Sequence, residues 1–227
     1  MRVRRLHRWA VTPREAAAIQ RRLAGRVVLR APPGHRLRLV AGLDCAYAGG
    51  RTFAAAVVLR LPGLREVERI IVSAPLSFPY VPGLLSFREA PACILALRRL
   101  RSLPDLLLVD GQGLAHPRRF GLACHLGLLA GIPAVGVAKS LLVGAFPPPS
   151  RPAGSSSPLV HRGEHLGSAV RLADGGNPVI VSPGHLCGVR DAVRWVVRCA
   201  GGHRLPEPTH RADRAVGEAA DAARKPG

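Results

Sequence analysis

Residues 104–139 read PDLLLVDGQGLAHPRRFGLACHLGLLAGIPAVGVAK, and few folds accept such a stretch. Residues 106 to 109 form a short apolar run that ends in a carboxylate, Asp110, with Gly111 and Gly113 close behind. A strand buried on both faces of a parallel sheet reads this way. The glycines let the backbone turn sharply out of that sheet. His116, Pro117, Arg118 and Arg119 then lead into a helix expected from about Phe120 to Ala130. A second apolar run, 133–138, ends in Lys139. The pattern is strand, helix, strand, with a charge at the carboxyl end of each strand. Ligands of open α/β sheets bind outside those ends, so Asp110 and Lys139 are expected to face one crevice. Taken alone, Asp110 fits a turn-former before glycine about as well, and Lys139 fits an end-of-strand charge in solvent. Usage favours a special role for the lysine: of 33 basic residues, just Lys139 and Lys225 are lysine. A compact, titratable ammonium is something arginine does not supply.

A chain of 227 residues suits one domain, expected over 1–227, with a substantial core. The formal charge of +19 and the pI near 11.6 point to a polyanionic partner, most simply nucleic acid. A membrane role fits less well, because no long segment combines basic and apolar faces. The apolar window 120–138 holds His125, Gly131 and Pro133, which argues for a buried helix and strand rather than a span. The N-terminal MRVRRLHRW has no apolar core, so no signal peptide is expected. Five cysteines without a C-x-x-C pair read as reduced, mostly buried thiols of a cytoplasmic protein. Nine histidines are scattered without cysteine partners, which argues against a zinc site.

Along the chain, Thr12, Pro13 and Glu15 mark a helix start, with the helix running to about Leu23. Residues 38–48 alternate as a strand, with Leu39, Ala41 and Leu43 on one face and Val40, Gly42 and Asp44 on the other. A carboxylate within LVAGLDCAYA is costly to bury unless it pairs with an arginine or binds metal; the metal reading is preferred. Gly49-Gly50 is a hairpin signal, and strands at 52–61 and 67–74 complete a three-stranded antiparallel meander. Asp44 and Asp110 meet if the first and fourth strands are neighbours. In PYVPG, prolines on both sides hold Tyr80 on a stiff loop. The ring there is either a wedge between bases or packed on the core edge. Ser86 to Glu89 spells a capping box, while Pro91 places the helix start nearer Glu89, freeing that carboxylate for a metal. Ile94, Leu97 and Leu100 form the buried stripe of this helix.

Residues 146–158 (FPPPSRPAGSSSP) read as a mobile surface loop. Strands are expected at about 159–162, 168–172 and 178–182, with a turn at 174–177. A helix from about 189 to 199 turns Val189, Ala192, Val193 and Val196 inward. LPEPT, 205–209, opens a last helix with Asp213 one turn beyond Thr209, and the tail after about 221 is expected to fray.

In order and spacing, PYVPGLLSFRE (79–89), VDGQG (109–113), HPRR (116–119), GVAK (136–139) and LPEPT (205–209) closely resemble endonuclease V, the family of deoxyinosine 3′-endonucleases. The resemblance runs from about Ala41 to Asp213. It implies an α/β, ribonuclease H-like fold: a mixed central sheet flanked by helices, with its first and fourth strands adjacent. It places Asp44, Glu89 and Asp110 around Mg²⁺, with Mn²⁺ as a substitute, and Asp213 at the position of a further ligand. Lys139 would lie beside the scissile phosphate. Pro79, Tyr80, Val81 and Pro82 would form a wedge filling the space of an extruded base, and Gly83, Leu85, Gly113, His116 and Gly121 would line the pocket reading hypoxanthine. Backbone amides near Gly83 and Gly113 are expected to approach the purine where no Cβ intervenes. The expected reaction is hydrolysis of the second phosphodiester 3′ to the lesion, leaving 3′-hydroxyl and 5′-phosphate ends. The expected partner of a monomeric enzyme is deoxyinosine DNA, with inosine RNA as the alternative. Gln112, His210 (where arginine is expected) and the Pro/Ser segment depart from the family pattern. None removes a carboxylate, as a binder that had lost catalysis would.

Overall fold

The computed structural model describes residues 1–224. Thr12 caps α1 (Pro13–Ala24): its hydroxyl accepts from the Glu15 N–H while the Glu15 carboxylate accepts from the Thr12 N–H. β1 (Leu39–Ala48) and β2 (Arg51–Arg60) join through Gly49 and Gly50, both at positive φ, as a two-residue hairpin turn of the primed type requires. β3 (Arg65–Pro75) completes the meander. Then come α2 (Leu85–Arg99), β4 (Leu106–Asp110), α3 (Leu122–Ala130) and β5 (Ala134–Ala138). The chain continues with β6 (Ser156–His161), β7 (Glu164–Val170), β8 (Val179–His185), α4 (Val189–Arg198) and α5 (Glu207–Ala222). All eight strands form one mixed sheet, ordered β3-β2-β1-β4-β5-β8-β7-β6. β1 pairs with β4 and β4 with β5, both in parallel, so the first and fourth strands are neighbours as expected.

Alternation along β1 sorts the two cores. Ala41 and Leu43 pack with Val109, Leu97 and Leu126 under α2 and α3, while Val40 packs with Leu106, Val135 and Trp195 under α4. On β2, Ala55, Val57 and Leu59 meet Ala212, Ala215 and Val216 of α5. Burying such runs supplies the main drive for the fold.

Four expectations need correction. α2 begins at Leu85, capped by no side chain, and carries Pro91 in its interior, so it has neither the capping box nor the start near Glu89. Phe87, Ala90, Ala92 and Cys93 of this helix are buried, and that packing offsets the backbone bond a mid-helix proline removes. α3 starts at Leu122 rather than Phe120 because Gly121 is its N-cap. The Pro/Ser segment is not a free loop: Ser156 to Pro158 already belong to β6. Arg171 also donates to the carbonyls of Ser150 (2.8 Å), Pro149 (3.1 Å) and Gly176. β7 starts earlier than the polar Glu164 and His165 predict, because Arg162 and Gly163, both at positive φ, turn the chain directly out of β6. At the far end, where fraying is expected after about 221, α5 is still helical at Ala222, and the part of that tail beyond Arg224 lies outside the described residues. Among the described residues no helix is long and apolar enough to cross a membrane.

The segment before α1 is held by an imidazole pair. His7 Nδ1–H donates to the Arg8 carbonyl (2.7 Å), so His7 Nε2 accepts from His125 Nε2–H (2.7 Å). Trp9, Phe87 and Phe120 surround them. Burial holds His125 down to about 3 and lowers His7 as well. Both folded-state values are depressed, so the neutral pair's contribution is fully present above the unfolded value near 6.5 and is lost as pH falls towards 3. We expect the melting temperature to drop between pH 7 and 4 by on the order of 5 °C more in the native chain than in His125→Phe; parallel curves would clear the pair of this role.

Candidate active site

Three elements deliver three carboxylates to one place. Asp110 ends β4, Asp44 lies on β1 beside it, and α5 lays Asp213 across the same edge; one oxygen of each falls within 4.8 Å of the others. Lys139, directly after β5, places its Nζ 2.7 Å from Asp110 and 2.6 Å from Asp213. The crevice expected for Asp110 and Lys139 is therefore present, and the chain-distant Asp44 and Asp213 share it. The approach of α5 depends on Gly42: a Cβ there would lie 1.9 Å from the Pro208 carbonyl oxygen. LPEPT turns the chain onto β1, with Pro206 as the cap of α5 and the buried Thr209 hydroxyl donating to the Pro206 carbonyl at 3.0 Å.

Crowding of buried acids sets the electrostatics. Burial, then the Asp110 charge, pushes Asp44 up to about 9, with Lys139 opposing. Asp110 is raised by burial against the pull of Lys139. For Asp213, burial is outweighed by the Lys139 bond and charge, and its carboxyl sits low. Lys139 is itself half-buried, but Asp110 and Asp213 hold it firmly protonated. Three carboxyl groups converging on one place offer the hard oxygen donors that a small divalent cation binds.

Glu89, in α2, is 7% exposed and walls the same cavity without joining the three-oxygen group. Burial, opposed by a hydrogen bond from Tyr47, lifts it to about 7. The Tyr47 hydroxyl donates to Glu89 at 2.6 Å, and the Arg88 guanidinium lies 4.5 Å from the centre of the tyrosine ring. Nothing read from the sequence singled out Tyr47. The signal was present: it shares the β1 face of Ala41 and Leu43, which looks towards α2.

Above this floor a cavity of about 460 Å³ opens, with Tyr80, Val81, Pro82, Gly83 and Leu85 on its wall. Tyr80 is 74% exposed, so the core-edge alternative for its ring does not hold. Pro79 and Pro82 are also exposed. His116 and Gly121 line the cavity. His116 has no free ring nitrogen, however: Nε2–H donates to the Gly83 carbonyl (2.9 Å) and Nδ1 accepts from the Arg118 N–H (3.1 Å). Burial keeps the ring neutral, at about 4. Gly113 faces away from the cavity. Its N–H donates to the Ser182 hydroxyl (2.9 Å), and a Cβ would lie 2.3 Å from the Pro183 carbonyl oxygen, so this glycine serves the approach of β8 rather than a ligand. Leu141 and Leu142, 45% and 42% exposed, join the cavity wall, as do Gln20 and Gln112. The sequence reading reached neither the two leucines nor Gln20. The start of α2 on this wall has no side-chain cap; the Phe87 N–H turns back to the Leu84 carbonyl (3.0 Å), which leaves the Leu85 and Ser86 N–H groups for an acceptor.

A family model described as endonuclease V matches residues 21–214. The endonuclease V of Myxococcus xanthus is 50% identical over 211 residues, covering 92% of this chain and 90% of its own. The crystal structure of endonuclease V from Streptomyces avermitilis shares 41% identity with a TM-score of 0.89, over 99% of this chain and 100% of that one. Endonuclease V of Ciona intestinalis, crystallised with a 24mer DNA containing an inosine followed by a ribo-adenosine, shares 26% identity with a TM-score of 0.81, over 92% of this chain and 98% of that one. The mixed sheet and its flanking helices form the ribonuclease H-like fold of these structures. With residue identity, motif order and fold in agreement along nearly the whole length, this chain is a nuclease belonging to the endonuclease V family.

Proposed function

We propose that this chain is a Mg²⁺-dependent repair endonuclease, acting as a cytoplasmic monomer on DNA that contains deoxyinosine. It hydrolyses the second phosphodiester 3′ to the lesion and leaves 3′-hydroxyl and 5′-phosphate ends. The observation that carries this reading is the convergence of Asp44, Asp110 and Asp213 with Lys139 on the floor of a cavity whose wall bears an exposed tyrosine.

Asp44, Asp110 and Asp213 would hold the cation, with Glu89 reaching it directly or through water. When bound, the cation supplies Lewis-acid polarisation of the phosphate and a lowered pKa for water. The chain's own residues do the rest. Lys139 stays charged and lies where it neutralises charge developing on the phosphate. Tyr47 orients Glu89 through a short hydrogen bond. Tyr80 fills the gap left by an extruded base, and extrusion costs least for a mispaired one. First-turn N–H groups of α2 are donors suited to the carbonyl oxygen of hypoxanthine, while the neutral His116 ring packs beside it. Arginines on the surface supply phosphate contacts.

Nicking of a duplex carrying one deoxyinosine, with Mg²⁺ and with a chelator, tests this; chelator-resistant nicking or indifference to the lesion would reject it. A second reading, cleavage of inosine-containing RNA, is favoured by the ribo-adenosine that follows the inosine in the DNA bound by the Ciona protein. Matched RNA and DNA oligonucleotides separate the two. Tyr80→Ala should weaken binding to the inosine duplex about tenfold, as loss of one base–aromatic stack does, with no change in Mg²⁺ affinity. Equal lesion affinity in a gel-shift titration would remove the wedge.

A further inference from the structure

Gly83, three residues past Tyr80, has φ +76. Its carbonyl accepts from Gln20 Nε2 (3.1 Å), His116 Nε2 (2.9 Å) and an Arg118 guanidinium nitrogen (2.6 Å). A carbonyl has two lone pairs, so three donors more than fill it. Gln20, on α1, is 1% exposed. Its Nε2 also donates to the Phe120 carbonyl (3.1 Å), and its Oε1 accepts from Arg118 Nε (2.6 Å). Turning the amide over would set Oε1 against two carbonyl oxygens, so its orientation is fixed by its partners. With both N–H bonds and its oxygen engaged inside the protein, Gln20 lines the cavity but has no donor left for a base. The same face of α1 carries Ala16, packed with Phe78, Leu84 and Phe87, and Leu23, packed with Phe120. Residues spaced i, i+4, i+7 share a helix face, so α1 grips the Tyr80 loop with one end and the His116 loop with the other. Gln20 bonds both loops at the middle.

We propose that Gln20 is a positioning residue for lesion capture: it ties the loop carrying Tyr80 to the loop carrying His116, so that wedge and base pocket keep a fixed separation as a base is extruded. This inference rests on the proposed function of the cavity. Loops ordered before the substrate arrives spare the ordering cost of binding, so loss of the tie shows in capture rather than in cleavage. A carboxamide alone satisfies the site. Methionine keeps the shape and loses three bonds. Glutamate keeps the acceptor for Arg118 but places its second oxygen against the Gly83 and Phe120 carbonyls.

The test compares Gln20→Met and Gln20→Glu with the native chain on an inosine duplex and on an undamaged one. A 2-aminopurine beside the inosine reports unstacking. For Gln20→Met, KM for the inosine duplex is expected to rise about tenfold, kcat at saturation to change by less than about twofold, and the 2-aminopurine signal on binding to fall. Gln20→Glu is expected to be worse than Gln20→Met. Should either variant melt below the assay temperature, Arg118→Lys, which keeps the charge and removes the guanidinium bonds to both Gln20 and Gly83, is expected to raise KM at least as much, and an unchanged KM there would equally overturn the tie. Unchanged KM and 2-aminopurine signal in a folded variant, or a fall in kcat alone, would overturn the positioning role while the native preference for inosine stood. Loss of that preference in the native chain itself would overturn the proposed function, and this inference with it.

Discussion

Asp110→Ala is expected to reduce nicking of an inosine duplex by on the order of 10³-fold in kcat, with binding of the same duplex retained. Asp110 contributes one of the three converging oxygens and the 2.7 Å ion pair that holds Lys139 in place. Its removal leaves two carboxylates of the group and frees the ammonium to follow Asp213 alone. The cavity wall proposed to capture the base is built from the 80–85 loop, the His116 loop and α1, none of which hydrogen-bonds to the Asp110 side chain among the described residues. The fold should not suffer. Burial raises the folded-state pKa of Asp110 above its ordinary value, so the ionised group opposes folding at neutral pH. The melting temperature of the variant should therefore match or exceed that of the native chain. Single-turnover nicking, gel-shift binding and a melting curve together check the three statements; undiminished turnover would remove Asp110 from the reacting centre.

Gly42→Ala is expected to lower the melting temperature by on the order of 10 °C, from about 3 kcal/mol of overpacking. The added methyl would meet backbone, not a flexible side-chain end: Pro208 O at 1.9 Å and Thr209 N at 2.6 Å. The strand is paired on both sides, so the strain falls on the start of α5. Displacing that helix carries Asp213 away from Asp44 and Asp110. A shift of about 1 Å in a reacting group costs on the order of 10²-fold in rate, so kcat should fall with stability. Calorimetry and single-turnover nicking at a temperature where the variant is folded separate the two losses. A fully stable and active variant would show that α5 needs no such close approach.

Some of this site was legible in the residues themselves. Asp110 and Lys139 each end an apolar run short enough to be a buried strand, and a helix between them is the usual crossover of a parallel pair, which β4 and β5 form. Asp44 stood out as a carboxylate inside an apolar strand. Tyr80 stood out because prolines flank it closely. The family motifs added Asp213, which joins the acidic group, and the proposed wedge and pocket. The weaker readings concerned groups whose meaning depends on a distant neighbour. Glycine in VDGQG serves a turn, a ligand or a packing contact equally well in one dimension, and Gly113 proved to serve β8. Pro91 is a good breaker by local rule, yet the buried face of α2 outweighs it. Tyr47 and Gln20 carry no motif, and their roles come from Glu89 and Gly83, 42 and 63 residues away.

What the sequence by itself determined was the set of strands and helices around the centre, the sides of β1 on which Leu43 and Asp44 lie, and the acidic and basic groups available to them. Run length, alternation and turn chemistry are properties of adjacent residues, so they survive in one dimension. Tertiary structure alone decided which oxygens come within 4.8 Å, which ring nitrogens are already engaged, and which glycine meets another backbone. Those outcomes follow from where α1 and α5 dock on the sheet. Docking is fixed by the sum of many apolar contacts between segments far apart in the chain, a sum that no local stretch of residues contains.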